Sequence, residues 1–395
     1  MRDAQGGTMQ RRIARELESL REQAQLRSLE IPGDTSGLNL CSNDYLGLAS
    51  DPRLKEAVAE SVGRAERVGS TGSRLLSGNA REWEELEAEF AAFAGTAAAL
   101  YFGSGYAANI GLLSSLLKPG DTVFSDALNH ASLIDGMRLS GASRTIYPHA
   151  DLEFLERALR QANGAGARVI VTESVFSMEG DVAPLGELMA LARKYDASLI
   201  VDEAHATGVW GPGGRGVMGE LGLENETLGI VHTCGKALGS AGAFVCGSGA
   251  LREHLINRAR TFIFSTAMPA YFAGQIRAAL SLARAADAER AHLRAIAGAL
   301  REALAAAGLP CGTSCTQIVP VILGTNEAAL HVASELQRGG FAVRAIRPPT
   351  VPPGTARIRI SLTSKITIED VRRLAAAILA AHKSPADSAR SVVHA

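Results

Sequence analysis

Between Ala97 and Gly247, seven short β-prone apolar runs alternate with helical stretches: AAALYF, DTVFSD, RTIYP, RVIVTES, SLIVDEAH, LGIVHT and GAFVCG. Parallel strands need crossovers long enough for a helix, and strands covered on both faces read as continuous apolar runs. The rhythm therefore predicts an α/β fold, a mostly parallel sheet covered by helices. Ligands of such sheets sit at the carboxyl ends of the strands, so polar residues at those ends are the first candidates for chemistry.

On either side of this block the pattern changes. From Met268 to Ala307 the sequence is Ala-rich helix, followed by QIVPVIL, a helix from Glu327 to Arg338, FAVRAI, ARIRISL and a helix from Ile368 to His382. That is the signature of a smaller α+β domain. Towards the N-terminus, Ile13, Leu17, Leu20 and Ala24 recur at three- and four-residue steps, which marks an amphipathic helix from Gln10 to about Arg27. A loop from Cys41 to Leu48 follows, then a glycine and serine cluster from Gly69 to Asn79 that is too polar for a core, then helical spacing from Arg81 to Phe93. The 395 residues thus divide into an N-terminal helix and arm (1–48), a large domain (49–280), a small domain (281–383) and a polar, unpatterned tail (384–395).

The charge balance narrows the partners. With 40 basic against 41 acidic residues, a net charge of -1 gives no electrostatic reason to expect nucleic acid or an anionic membrane. A small-molecule substrate is expected instead. Five cysteines, an odd number without CxxC spacing, suggest neither a disulfide scaffold nor a metal site. No apolar run follows the basic N-terminus and none is long enough to span a bilayer, so a cytoplasmic protein is expected.

Three strand ends carry the strongest signals. In SLIVDEAHATG, Asp202 closes an apolar strand and His205 lies three residues on. A carboxylate there needs a cationic partner, such as a protonated ring nitrogen, or else caps the following turn. In VHTCGKALGS, Lys236 follows another apolar strand between Gly235 and Gly239, with Thr233 three residues earlier. Lone lysines are usually solvated, but glycines admit a ligand and lysine forms Schiff bases. In FGSGYAANI, Gly103, Ser104 and Gly105 lead into a helix near Tyr106, and free N–H groups at a helix start bind phosphate. His130 in LNHAS is either a hydrogen-bonded loop histidine or a ring stacked on a cofactor, and Ser177 in ESVFSMEGD is either a turn residue or a hydroxyl donor. Arg357 and Arg359, two apart in ARIRISL, leave one face if that segment is a strand, a face that is either solvated or functional.

The motifs NDYLGL, GSTGSRLLSGN, FGSGYAAN, VFSMEGD, VDEAHATGVWGPGGRG, HTCGKALG, FSTAMP and IRPPTVPPGTARIRISL occur in one order from Asn43 to Leu362. In this the chain resembles the α-oxoamine synthases. The resemblance implies a fold-type-I aminotransferase-like homodimer with pyridoxal phosphate at shared active sites. It implies Lys236 as the Schiff-base lysine and proton-transfer base, Asp202 opposite the pyridine nitrogen, and His205 and Ser177 at the phenolic oxygen. His130 is implied to stack on the ring. Gly105, Tyr106 and Thr233 are implied to hold the phosphate, with Ser265 or Thr266 from the neighbouring subunit, and Arg27, Thr350 and Arg359 to contact substrate. Within the family, AIRPPTVPPGTARIR is most similar to members that join L-alanine to a pimeloyl thioester, carried by coenzyme A or acyl carrier protein. Sister enzymes use glycine with acetyl or succinyl thioesters, or serine with long acyl chains. A cofactor-fold binding protein without catalysis is the rival from another class; the intact set of Asp202, His205 and Lys236 argues against it.

Overall fold

The computed structural model describes residues 7–27, 29, 37–162 and 164–383. The expected tail 384–395 lies outside them. Twelve strands occur among the described residues: β1 (Leu38–Asn39), β2 (Ala98–Phe102), β3 (Thr122–Asp126), β4 (Ser143–Tyr147), β5 (Arg168–Glu173) and β6 (Ala197–Asp202). They continue with β7 (Gly229–Thr233), β8 (Ala243–Gly247), β9 (Ile318–Gly324), β10 (Phe341–Ala342), β11 (Ala345–Ile346) and β12 (Ala356–Ser361). All seven apolar runs fall in one sheet of order β2-β8-β7-β6-β5-β3-β4, in which β8 runs antiparallel to both its neighbours and the other pairs are parallel.

The continuous apolar runs arise because consecutive side chains enter two different cores. Val169, Val171, Ile200 and Val231 pack with Leu112, Leu133 and Leu255 of the helices Gly105–Leu116, Ala131–Ser140 and Gly249–Arg258. Ile170, Leu199, Val201 and Ile230 pack on the opposite face with Trp83, Phe90, Leu155 and Leu188. Full burial of such a side chain stabilises by roughly 1.5–3 kcal/mol, so both helical layers are held by every central strand.

The smaller α+β part is a three-stranded antiparallel sheet, β11-β12-β9, backed by the helices Asn326–Arg338, Asp287–Ala306 and Ile368–Lys383. FAVRAI departs from the expected single strand. Phe341–Ala342 pairs in parallel with β1, whereas Ala345–Ile346 pairs with β12, so the segment changes sheets around the fully buried Val343. The N-terminal helix spans Thr8–Glu22 and stops short of Arg27. Ala24 adopts φ 51, left-handed backbone that a helix cannot continue through. Among the described residues no helix is long and apolar enough to cross a membrane.

Candidate active site

The carboxyl ends of β5, β6 and β7 set Glu173, Asp202 and Thr233 side by side, with Glu173 directly opposite Asp202 in the ladder. Lys236 enters this row from the turn after β7. Gly239 makes that turn possible, because at φ +54 its α-carbon faces the backbone of Leu48 and Ala49, and a Cβ would come within 2.5 Å of the Ala49 nitrogen.

Lys236 Nζ lies 2.7 Å from His205 Nε2, and His205 Nδ1 lies 2.6 Å from the Tyr45 hydroxyl. Tyr45 in turn donates to Asn43 Oδ1 at 3.2 Å. An amide oxygen only accepts, so the Tyr45 proton goes to Asn43, His205 Nδ1–H donates to Tyr45, and Nε2 accepts from Lys236. That direction requires a neutral His205. Burial, with the Lys236 and Arg359 charges, holds its pKa far below the usual histidine value.

Burial also lowers the Lys236 amine to about 8, against the pull of the Asp202 carboxylate. Two carboxyls on adjacent strand ends repel. Burial and Asp202 push Glu173 well above the ordinary range, so Glu173 is the protonated member. Asp202 Oδ1 accepts from the Ala204 amide at 2.9 Å, which is the turn-capping role, while Oδ2 accepts from Asn109 Nδ2 at 2.7 Å. Capping and a second partner coexist in one carboxylate.

Above this row, the helix Gly105–Leu116 begins beside Thr233: a Cβ built on Gly105 would lie 3.5 Å from the Thr233 hydroxyl. Ser104 caps Ala107 N–H, and the first N–H groups of the helix, those of Gly105 and Tyr106, have no intrahelical acceptor, which is the condition under which a helix start can take an anion. His130 caps the next helix: its Nδ1 meets the Ser132 amide and hydroxyl, and its own amide donates to Glu173 at 2.6 Å. The Tyr106 ring stands edge-on to the His130 ring at 6.3 Å.

Arg357 and Arg359 leave β12 on one face, but that face is buried, with 5% and 8% of the residue exposed. The solvated alternative is thereby removed. Arg357 forms an ion pair with Glu179 at 3.0 Å. Arg359 bonds the Ser177 carbonyl, the Ser361 hydroxyl and Asn43 Oδ1, all neutral, and among the described residues no carboxylate pairs with it. A buried guanidinium without a counter-charge calls for an anionic ligand.

Sequence comparison fits this geometry. The aminotransferase class I and II family model matches residues 35–378. The 8-amino-7-oxononanoate synthase of Geobacter sulfurreducens is 46% identical over 382 residues, covering 94% of this chain and 97% of that protein. The chain belongs to the α-oxoamine synthases. Among solved structures, this α-oxoamine synthase is similar to SPT with a PLP internal aldimine, at 30% identity and TM-score 0.87 over 95% of this chain and 98% of that one. It is also similar to the 8-amino-7-oxononanoate synthase of Francisella tularensis, at 30% identity and TM-score 0.76 over 87% and 97% of the two chains.

Not every expected site residue of this α-oxoamine synthase converges on Lys236. Ser177 presents its carbonyl to Arg359 rather than its hydroxyl to another side chain. Arg27 and Thr350 hydrogen-bond each other at 3.0 Å in a groove with Arg347 and Leu330, which no member of the Lys236 cluster lines. Ser265 and Thr266 are exposed, after the helix Arg260–Ile263. Sequence patterning left Glu173, Asn109, Tyr45 and Asn43 without a role. Glu173 carries the same signal as Asp202, a carboxylate closing an apolar strand, and could have been found by it.

Proposed function

We propose that this α-oxoamine synthase joins L-alanine to a pimeloyl thioester, carried by coenzyme A or acyl carrier protein, releasing CO2 and the carrier thiol and giving 8-amino-7-oxononanoate. The observation that carries the reading is the buried amine of Lys236, lowered to about 8 and set beside Asp202 and the open helix start at Gly105. This donor set fits pyridoxal phosphate: an amine for its aldehyde, a carboxylate for its ring nitrogen and helix N–H groups for its phosphate. Bound there, the cofactor supplies an electron sink for a carbanion at the amino acid's α-carbon.

The protein's own residues then have distinct tasks. Lys236 would attach the cofactor and, once displaced by the amino acid, take the α-proton on Nζ; a pKa near neutrality suits both roles. His205, neutral and fixed by Tyr45, keeps the amine aimed. Asp202 would stabilise a protonated ring nitrogen, Gly105, Tyr106 and Thr233 would hold the phosphate, and His130 would lie against the ring. Ser177 is assigned to the phenolic oxygen, and Arg27 and Thr350 to the acyl substrate. Arg359 takes the carboxylate of alanine.

A homodimer with shared sites belongs to the same reading. Val68, Leu76 and Phe264 are 73%, 85% and 70% exposed and lie in or beside the segments that hold Gly69–Asn79 and Ser265–Thr266. Those segments are joined by the bond from Ala267 N–H to the Gly72 carbonyl at 2.9 Å. Exposed apolar side chains gathered this way suit a second copy, through which Ser265 and Thr266 would reach the neighbouring site.

A second reading, serine with a long-chain thioester, draws on the likeness to the SPT structures, but the 46% identity to the Geobacter enzyme favours alanine. Incubating the enzyme with alanine, glycine or serine against pimeloyl, acetyl, succinyl and palmitoyl thioesters, with products weighed by mass spectrometry, decides between them. Alanine with the pimeloyl thioester is expected to give the dominant product. A product from glycine or serine with another thioester, and none from alanine, overturns the reading.

Arg359→Lys keeps the charge and loses the two-pronged fork that fixes a carboxylate. Losing one hydrogen bond to a charged group costs roughly 1.5–3 kcal/mol. Alanine affinity, read from the spectral change on binding, should therefore fall by about tenfold or more. Arg357→Lys, whose side chain faces Glu179, should change it little. The reverse pattern assigns the anchor to Arg357.

A further inference from the structure

The turn 177–181, between β5 and the helix Leu185–Lys194, is gripped from two sides. From β12, Arg359 donates to the Ser177 carbonyl, and Arg357 donates to the Met178 carbonyl at 3.2 Å while pairing with Glu179. From the other side, His149 Nε2 lies 2.9 Å from Asp181 Oδ2, which also accepts from the Thr313 hydroxyl at 3.0 Å. His149 Nδ1 lies 3.0 and 3.1 Å from the two oxygens of Asp126, at the carboxyl end of β3. Asp126 is itself fixed by the amides of Leu128 and Ala150. The Gly180 carbonyl accepts from the amides of Cys315 and Thr316, and the Phe176 ring stands edge-on to the imidazole at 4.4 Å. The large sheet, the turn and the chain entering β9 therefore meet at one histidine.

Both nitrogens of His149 face carboxylates, and a neutral imidazole has only one N–H to offer. Burial opposes the charged form, but the hydrogen bonds and charges of Asp126 and Asp181 more than offset it and raise the ring to about 10. The link is thus two charge-assisted bonds, stronger than neutral ones.

We propose that His149, held between Asp126 and Asp181, is a positioning residue that clamps the 177–181 turn so that the Ser177 carbonyl aims the Arg359 guanidinium at the substrate carboxylate. The inference rests on the reading of Arg359 given above. It makes His149 specific for the amino acid and indifferent to the thioester.

The test uses His149→Ala, with His149→Gln as the conservative variant that can still donate to one carboxylate. In the cofactor-free protein, amide hydrogen exchange across 174–183 should quicken by about tenfold or more, since the opening free energy of a turn falls when its clamp is removed. In the loaded enzyme, alanine affinity should fall by about tenfold, with His149→Gln in between, while the KM for the thioester stays within about twofold. If His149→Ala does not fold, Asp181→Asn carries the same expectations. Unchanged exchange, or alanine affinity within twofold of the native enzyme, overturns the proposal. So does an equal rise in both substrates' KM with a lowered Tm, the mark of a merely structural residue. Should the native enzyme bind no alanine at all, the reading of Arg359 falls, and the exchange measurement alone decides whether His149 is a clamp.

Discussion

Replacing Lys236 by alanine should abolish turnover and leave the fold standing. The side chain is buried, but its hydrogen-bonded neighbour is a single group, His205 Nε2 at 2.7 Å. Truncation leaves that nitrogen without its donor, a loss of about 1–3 kcal/mol, and removes the desolvation penalty of a buried amine, which acts in the opposite direction. The turn itself is held by backbone bonds from Gly239 to Lys236 and from Ser240 to Cys234, at 2.9 Å each, which alanine preserves. Circular dichroism and the Tm should therefore stay near the native values. Activity has no such reserve, because among the described residues no second lysine amine is placed in the cluster. The chain contains six lysines, at 55, 118, 194, 236, 365 and 383. Borohydride reduction of the native enzyme should fix the cofactor to the peptide carrying Lys236, and the alanine variant should take up no label. Recovery of the label on any of the other five rejects the assignment.

The strands of the large sheet other than β4 were legible because they are buried along nearly their whole length, so burial needs no partner's sequence to be recognised; the edge strand β4, exposed at Ser143, Arg144 and Ile146, was legible only by its β-prone residues and its place in the rhythm. Val169, Ile170 and Val171 are apolar whichever core they enter. Asp202 and Lys236 stood out for the opposite reason, as polar groups where such runs stop. What stayed hidden depends on contacts between distant segments. Asn43 and Tyr45 sit in a loop like many others until it is seen that Asn43 Oδ1 receives Arg359, 316 residues away. The arginine pair shows the same limit: a period of two put both on one face, but only the ion pair of Arg357 with Glu179 separates the neutralised guanidinium from the uncompensated one. FAVRAI misled because two residues suffice for each of its pairings, and apolar content does not say which sheet a strand joins. His149 had no signal at all, since Asp126 and Asp181 lie 23 and 32 residues from it.

Asp202→Asn should slow exchange of alanine's α-proton by about 10²–10³-fold, the loss typical when one pre-organised electrostatic contact is removed from a site. The substitution is nearly isosteric, and the surroundings can absorb it. The new amide oxygen can still accept from the Ala204 amide, as Oδ1 does now at 2.9 Å. At the other oxygen a conflict arises, because Asn109 Nδ2 donates to Oδ2 at 2.7 Å and an amide nitrogen there would set donor against donor. Asn109 Oδ1 is buried and without a hydrogen-bond partner among the described residues. A flip of the Asn109 amide turns that oxygen toward the amide nitrogen introduced at position 202 and restores the bond, although the contact Asn109 now makes to Ser132 at 2.9 Å must rearrange. The fold should accordingly lose no more than about 1 kcal/mol, the net value of one neutral hydrogen bond. Charge is what cannot be replaced. Without the carboxylate, nothing at the end of β6 favours a protonated ring nitrogen, and the neighbouring Glu173 is held in its neutral form by burial. Loss of Asp202 also removes the carboxylate that most supports the charged form of Lys236, so the free amine should fall further below about 8 and remain a competent base. The defect should therefore appear in withdrawal of electrons from the α-carbon and not in proton acceptance. Deuterium exchange into alanine, followed by NMR in the absence of thioester, isolates that step. Exchange in Asp202→Asn at the native rate, with cofactor bound, rules out this role for Asp202.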